Sequence, residues 1–401
     1  MDLRSNNPFW LLKHGIIKSY PSLKKNVTTE IAVMGGGISG ALTAWYLQQA
    51  GFDVLLVDRR HIGMGSTAAS TSLLQYEIDT PLRKLVKFRG EKDAIRSYIL
   101  CFQAIKELKK LCTKLNAKKI FTPSPSFQFA SYKKDKDPLW EEFVWREKAG
   151  IEVEWFEEKD ILDKFGFSKS AGILSAAGAS MDAYALTHVL LDHGQLTGMQ
   201  VYDHTEVVSI HHKKRGIELI TGDNKKIKAR KLIIACGYES QQYIPFKIQE
   251  LQSTFAIVSE PLPIQEFWYK DSLIWETSTP YLYIRTTEDK RIIIGGKDID
   301  SSDPNKRDNY INKKSKELEK SFAKLFASIP FKTDFRWAGT FASTIDGLPY
   351  IGSIRQRPHT LFALGFGGNG ITFSLIAAQI ICDLLKNKNN KDARLFSFHR
   401  S

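Results

Sequence analysis

Cysteine is scarce, four in 401 residues. Cys101, Cys112, Cys236 and Cys382 form no C-x-x-C pair, which argues against a thiol redox couple and against a thiolate metal site, so no metal is expected. Such usage fits a reducing compartment, and a cytoplasmic location is expected. No run of apolar residues approaches about 18, so no membrane span is expected either. The nearest thing to a leader, PFWLLKHGII, is broken by Lys13 and His14 and lacks a small-residue cleavage site. It reads instead as part of an N-terminal arm, residues 1–29, packed on the surface. Repeats and low-complexity tracts are absent.

Charge of one sign is not absent. Lys and Arg number 57 against 44 acids, a net charge of +13. The lysines fall in short clusters, such as Lys109–Lys110, Lys133–Lys134 and Lys213 to Arg215. No cluster interleaves aromatic residues, so the excess reads as a solvated surface and no DNA partner is expected. His211 and His212, beside one cluster, read as surface rather than ligands. Hydrophobic content of 43% and charged content of 25% are ordinary for a globular chain of two or three domains.

What is present is concentrated in Ile31 to Asp58, IAVMGGGISGALTAWYLQQAGFDVLLVD. An apolar run leads into Gly35, Gly37 and Gly40, a G-x-G-x-x-G spacing. Helical periodicity follows, then a second apolar run ending on Asp58. Gly35 permits the tight turn, Gly37 lets backbone approach a pyrophosphate, and Gly40 lets the helix pack on the strand. The helix N-terminus offers free N–H groups to phosphate, and Asp58 can accept ribose hydroxyls. All parts of a dinucleotide site come in the required order.

Beyond it, Arg59 to Leu82 is rich in Gly, Ala, Ser and Thr. Arg59 or Arg60 is placed near an adenosine, and Ser66 and Thr67 where they can bond phosphate. Residues 91–119 read as a long amphipathic helix, since Ile95, Ile99, Phe102, Ile105 and Leu108 recur every three or four positions. Helices are expected at 138–149 and 183–194, with a turn-like stretch at Gly172 to Asp182. From 251 the periodicity becomes two. Tyr281, Tyr283 and Arg285 share one strand face, and RIIIGGK supplies a partner strand. A polar helix is expected at 309–327. LFALGFGGNG then leads into ITFSLIAAQIICDLL, a second strand, glycine turn and helix N-terminus.

Four separated motifs agree: IAVMGGGISG with Asp58, GMGSTAAS beginning before Gly65, LIIACG, and STIDGLPYIG with GFGGNGITFS. Together they resemble the FAD-dependent amine and amino-acid oxidoreductases of the D-amino-acid oxidase superfamily, over about 30 to 385. The resemblance implies an α/β Rossmann-like FAD-binding domain with an interleaved antiparallel-sheet substrate domain. The expected FAD domain takes 30–84, 172–250 and 335–390, and the substrate domain 85–171 and 251–334. Gly35, Gly37, Ile38 and Ser39 would face the pyrophosphate and Asp58 the ribose. Val207 would lie on adenine, Cys236 and Gly237 near the ribityl chain, and Gly367, Gly368, Asn369, Gly370, Ile371 and Thr372 at the flavin's pyrimidine edge. A helix N-terminus there would stabilise charge on the reduced flavin.

Departures from that pattern matter too. Gly339 stands where some sarcosine oxidases attach flavin through cysteine, so the FAD is expected to be non-covalent. Phe341 and Gly368 stand where glycine oxidases carry carboxylate-binding arginines. Arg285, Tyr283 and Gln75 are the substitutes expected at the catalytic end, with Arg285 gripping a substrate carboxylate or, alternatively, pairing with Glu288 or Asp289 at the surface. Sarcosine oxidases also use a lysine near the flavin, and Ile293 stands at that position, with Lys297 close by. The expected activity is oxidation of a C–N bond in a small amine or amino acid. The alternatives are action on a tRNA nucleoside and a non-catalytic FAD-binding protein.

Overall fold

The computed structural model describes residues 2–264 and 266–400. Strands Val54–Val57, Val27–Met34 and Lys226–Ile234 lie side by side and parallel, with Gln200–Tyr202 beyond the first. The other edge of Lys226–Ile234 is divided. Its start pairs with Gly216–Thr221, antiparallel, and its end with Thr360–Leu364, parallel. Val33, Leu56 and Ile233 point to one face of this sheet, while Ala32, Leu55 and Leu232 point to the other. Both faces are covered, so these strands are continuous apolar runs rather than alternating ones.

Helices Ile38–Gln49, Ala183–Leu196 and Gly370–Leu385 cover the first face. The first of them is buried nearly all round, so it carries no single apolar stripe. Gly370–Leu385 with its preceding turn is long and apolar enough to cross a membrane by composition. Polar residues interrupt it, so no unbroken run marks it in the sequence. Here the helix is buried against Ile38–Gln49 and Glu91–Lys114, which explains its composition.

A nine-stranded sheet forms the second layer. Its order is Arg4–Ser5, Thr333–Ser343, Glu250–Ser259, Ile292–Ile299, Tyr283–Thr286, Leu273–Glu276, Ser126–Phe129, Ala171–Ser175, Val153–Glu157. Ile311, Leu318 and Phe322 of helix Pro304–Leu325 pack on Phe255, Ile257 and Ile294 of this sheet. Each such side chain is worth roughly 1.5–3 kcal/mol when fully buried.

Several expectations are corrected. Helix Glu91–Lys114 is expected in the substrate domain, yet Tyr98, Cys101, Ile105 and Leu108 join the core of the parallel sheet. The supposed turn 172–182 is two strands, Ala171–Ser175 and Gly178–Met181. Its residues are small because space is short: a Cβ on Gly172 would sit 2.5 Å from the Phe127 ring. Helices Leu82–Arg89 and Glu158–Phe165 were not anticipated. The N-terminal arm is not superficial. Leu3, Phe9, Trp10, Tyr20 and Leu23 are buried, Arg4 pairs with Gly339 in the large sheet, and Leu23 N–H donates to Thr205 Oγ1. The arm therefore spans both sheets.

Candidate functional site

Between the two sheets runs a cavity of about 730 Å³. It extends from Val207 and Arg357 at one end, past the first glycine turn, to Tyr281, Tyr283 and Gly368 at the other.

The near end is built by the first turn. Gly35 has φ +110, and a Cβ there would lie 2.4 Å from the Ala235 carbonyl oxygen. A Cβ on Gly40 would lie 1.7 Å from Gly35 O, so this glycine sets how closely helix and turn meet. Gly36 was overlooked in the sequence. Its N–H donates to Asp58 Oδ2 at 2.6 Å, and Arg60 N–H donates to Asp58 Oδ1 at 2.8 Å. Burial raises the Asp58 pKa, opposed by these two N–H bonds and by the Arg60 charge. Asp58 thus braces the glycine turn and keeps lone pairs for hydroxyls.

Thr67 Oγ1 accepts the Ile38 N–H at 3.0 Å, so it occupies one of the helix N-terminal donors that was expected to face phosphate. Its own hydroxyl proton remains for a ligand. Ser66 Oγ is buried, lines the cavity and has no hydrogen-bond partner among the described residues. Ser39 Oγ lies 2.6 Å from Ser374 Oγ of the second helix. Arg59 and Arg60 both grip Glu239, Arg60 Nη1 at 3.1 Å from Oε2. Burial would raise the Glu239 pKa, but the Arg60 bond and charge hold it below the usual range. Cys236 Sγ–H donates to Met34 O, and burial pushes this thiol upward, so it is no thiolate. A dinucleotide fits these residues: glycines clear the way, a buried hydroxyl lacks a partner, and a 12-residue helix points its N-terminus inward.

At the far end Gly368 N–H donates to Asp79 Oδ2 at 2.7 Å, and Tyr281 O–H donates to Asp79 Oδ1 at 3.1 Å. Burial raises the Asp79 pKa against both bonds. Tyr283 lies flat on Gly295, where a Cβ would come 2.2 Å from its ring. Gly296, at φ +130, would meet Tyr281 O in the same way. The glycine pair in RIIIGGK therefore makes room for the Tyr283 ring and for the backbone at Tyr281, a signal that the sequence holds and that strand periodicity does not read. The Thr254 hydroxyl is 3.4 Å from Tyr283 Oη and also bonds Asp298. Asp298 Oδ1 is left buried without a partner, and burial raises this carboxyl to about 6. Asp79 and Asp298 were not anticipated.

Most of the anticipated residues line the cavity, from Gly35, Gly37, Ile38 and Ser39 through Gly65 and Ser66 to Val207, Gly237, Gly367, Gly370 and Ile371. Gly40, Asn369, Thr372 and Arg285 do not. Asn369 Nδ2 donates to Gln75 O and Glu77 O, and Thr372 Oγ1 donates to Asn369 O, so these two brace the turn. Gln75 lines the cavity, with Nε2 3.5 Å from Ser126 Oγ. Arg285 is on the same side of its strand as Tyr283 but one pleat beyond the cavity. It is 3% exposed, which removes the solvent alternative as well. Its guanidinium lies 5.2 Å over the Trp10 ring and donates to Ser72 O at 3.4 Å. Burial lowers its pKa to about 10. The buried arm closes this corner, which strand alternation alone could not reveal.

Away from the cavity, His61, Asp203 and His204 cluster within 4.8 Å. Asp203 accepts Tyr20 N–H and faces His61 Nδ1 at 3.1 Å, and the two histidine rings meet edge to face with their Nε2 atoms 3.2 Å apart. Their polar atoms engage one another and the arm.

A family model described as FAD dependent oxidoreductase matches residues 30–384. The chain is 22% identical to gamma-glutamylputrescine oxidoreductase of Escherichia coli, over 92% of this chain and 86% of the relative. It is 23% identical to glycine oxidase of Bacillus subtilis, over 92% of this chain and 96% of that one. The crystal structure of glycine oxidase from Geobacillus kaustophilus superposes with a TM-score of 0.79 at 19% identity, covering 93% of this chain and 99% of that chain.

Proposed function

The chain belongs to the FAD-dependent oxidoreductase family, and from that premise we propose that it oxidises the C–N bond of a small amine or amino acid. It is an FAD-dependent enzyme acting on amines or amino acids, and the finer reading concerns how. When bound, FAD would supply the two-electron acceptor for this oxidation, with hydride transfer to flavin N5 as its chemistry.

The chain's own residues hold and orient. The Ile38–Gln49 helix N-terminus, Ser66 and Thr67 serve the pyrophosphate, Asp58 the ribose, and Val207 the adenine. The FAD is non-covalent in this reading, since Gly339 offers no thiol and Cys236, the one cysteine lining the cavity among the described residues, is turned to Met34 O. Tyr281 and Tyr283 wall the reacting end and exclude water. Gln75 lines the passage to a smaller adjoining cavity of about 290 Å³. Both gamma-glutamylputrescine and glycine, named in two relatives, carry a primary amine, and that shared group is the proposed point of reaction.

The observation that carries the reading is the continuity of one cavity from the dinucleotide turn to a tyrosine-walled pocket at the second glycine turn. The test is anaerobic mixing of purified holoenzyme with a panel of amines and amino acids. Bleaching of the flavin band is expected with at least one member, and a colourless protein or a flavin that none of them bleaches would refute it.

A further inference from the structure

The reacting end of the cavity is short of cations. Among the described residues, those lining it include no lysine, and its arginines are Arg59, Arg60 and Arg357. All three belong to the adenosine end, two on Glu239 and the third donating from Nε to Tyr243 O at 3.1 Å. Arg285 faces Trp10 and Ser72 instead. A substrate carboxylate buried there would find no guanidinium or ammonium among the described lining residues, and a charge buried unpaired is strongly disfavoured.

Anionic groups are plentiful. Asp298 presents a buried oxygen, Oδ1, with no hydrogen-bond partner among the described residues. The adjoining cavity opens from the main one between Gln75, Tyr281 and Gly368. Its walls carry Glu77, Asp79, Asp135, Glu142 and Glu276 against Arg83 and Lys84. Arg146 compensates Glu77 and Glu142 from behind, at 3.5 and 3.0 Å. Asp79 and Glu276 accept only neutral donors: Tyr281 and Gly368 on the first, Leu282 N–H and Ser131 on the second. Among the described residues neither carboxylate is held in an ion pair, the Lys169 charge acting on Glu276 without closing one.

Resting on the amine-oxidation reading above, we infer that the substrate is an amine without a carboxylate at its reacting carbon. It is a diamine or longer cationic chain, with its reacting end against Asp298 and its second ammonium in the side cavity by Asp79 and Glu276. Two anionic positions joined by a tyrosine-lined passage match two cations joined by an apolar chain.

The test uses holoenzyme and three probes of one chain length: 1,4-diaminobutane, n-butylamine and norvaline of either hand. Apparent Kd is read from the oxidised-flavin difference spectrum and from the anaerobic bleaching rate. The diamine is expected to bind at least tenfold more tightly than the monoamine, and norvaline more weakly than both. Asp298→Asn is expected to weaken every amine tenfold or more with FAD affinity unchanged. Glu276→Gln is expected to erase most of the diamine's advantage. Norvaline binding as tightly as butylamine, Asp298→Asn leaving amine affinities unchanged, or Glu276→Gln leaving the diamine-to-monoamine ratio unchanged, each while the flavin still bleaches, would overturn the inference and leave amine oxidation standing. Bleaching by no amine or amino acid at all would remove both.

Discussion

Ser39 and Ser374 meet hydroxyl to hydroxyl at 2.6 Å, each near the start of its helix. The helix that follows the first glycine turn is thereby tied to the helix that follows the second. Ser374 Oγ also donates to Gly370 O at 2.5 Å, so Ser39 is placed to donate in turn. Ser374→Ala removes the tie without adding bulk. A neutral hydrogen bond is worth about 1 kcal/mol, so FAD affinity is expected to fall about fivefold, measured by titrating apoprotein with FAD.

Gly40→Ala tests the first turn. Its Cβ would enter the Gly35 carbonyl oxygen, and backbone on both sides must shift. A destabilisation of about 1–3 kcal/mol is expected, with purified protein largely free of flavin. Wild-type flavin content would show that the turn relaxes.

Arg146 is 1% exposed and lies between Glu142 and Glu77, also donating to Gln128 Oε1 at 2.6 Å. Arg146→Met keeps the volume and leaves two acids buried without their cation. About 3–5 kcal/mol of stability is expected to go, seen by urea unfolding at pH 7. Arg146→Met with Glu142→Gln should recover part of it.

Asp298 gives a pH test with a definite sign. Its carboxyl is raised from 3.8 to about 6, by burial first and by Asp79 in addition, with the Thr254 bond and Lys314 opposing. The folded form therefore favours the protonated state. That contribution is complete below about pH 3.8 and lost as pH rises through about 6. Asp298→Asn is expected to stabilise apoprotein at pH 7.5 by an amount on the order of 2 kcal/mol or less, read as a higher melting temperature, and to leave it unchanged near pH 4. An equal gain at both values would mean that the effect is packing, not charge.

Reaction with oxygen is the remaining test. No lysine lines the cavity among the described residues, and Ile293 is buried beside Ala256 and Trp337. Reduced enzyme is expected to reoxidise slowly in air and quickly with an artificial dye. Rapid recovery of the flavin band in air-saturated buffer would contradict this.

How much of this was legible depended on whether a residue's task is local. The first glycine turn was, since Gly35, Gly37, Gly40 and Asp58 act within one strand, helix and strand. The second turn was legible for the same reason, though the tasks of Asn369 and Thr372 were not, because their partners lie near Gln75 and Glu77 or within the turn itself. Arg285 was placed on the right strand face, but Trp10, from the distant N-terminal arm, decides what it meets. Asp79 and Asp298 sit in unremarkable surroundings, and only folding brings them to two adjoining cavities at the same end of the site. Helix Glu91–Lys114 announced an apolar stripe, but a stripe does not say which sheet will cover it.

The arm's pairing with the large sheet joins Arg4 to Gly339, and the cofactor sheet joins Ile234 to Phe362. Both junctions link early or middle chain to its last quarter. During synthesis neither can close until that last part has left the ribosome, and closing such long loops is slow. Until then Trp10, Phe9 and the strand at Val27–Met34 have no finished surface to bury against. The nascent chain thus exposes these early apolar segments until its last quarter is made, and chaperone supply or free FAD present as translation ends should govern how much active enzyme a cell recovers.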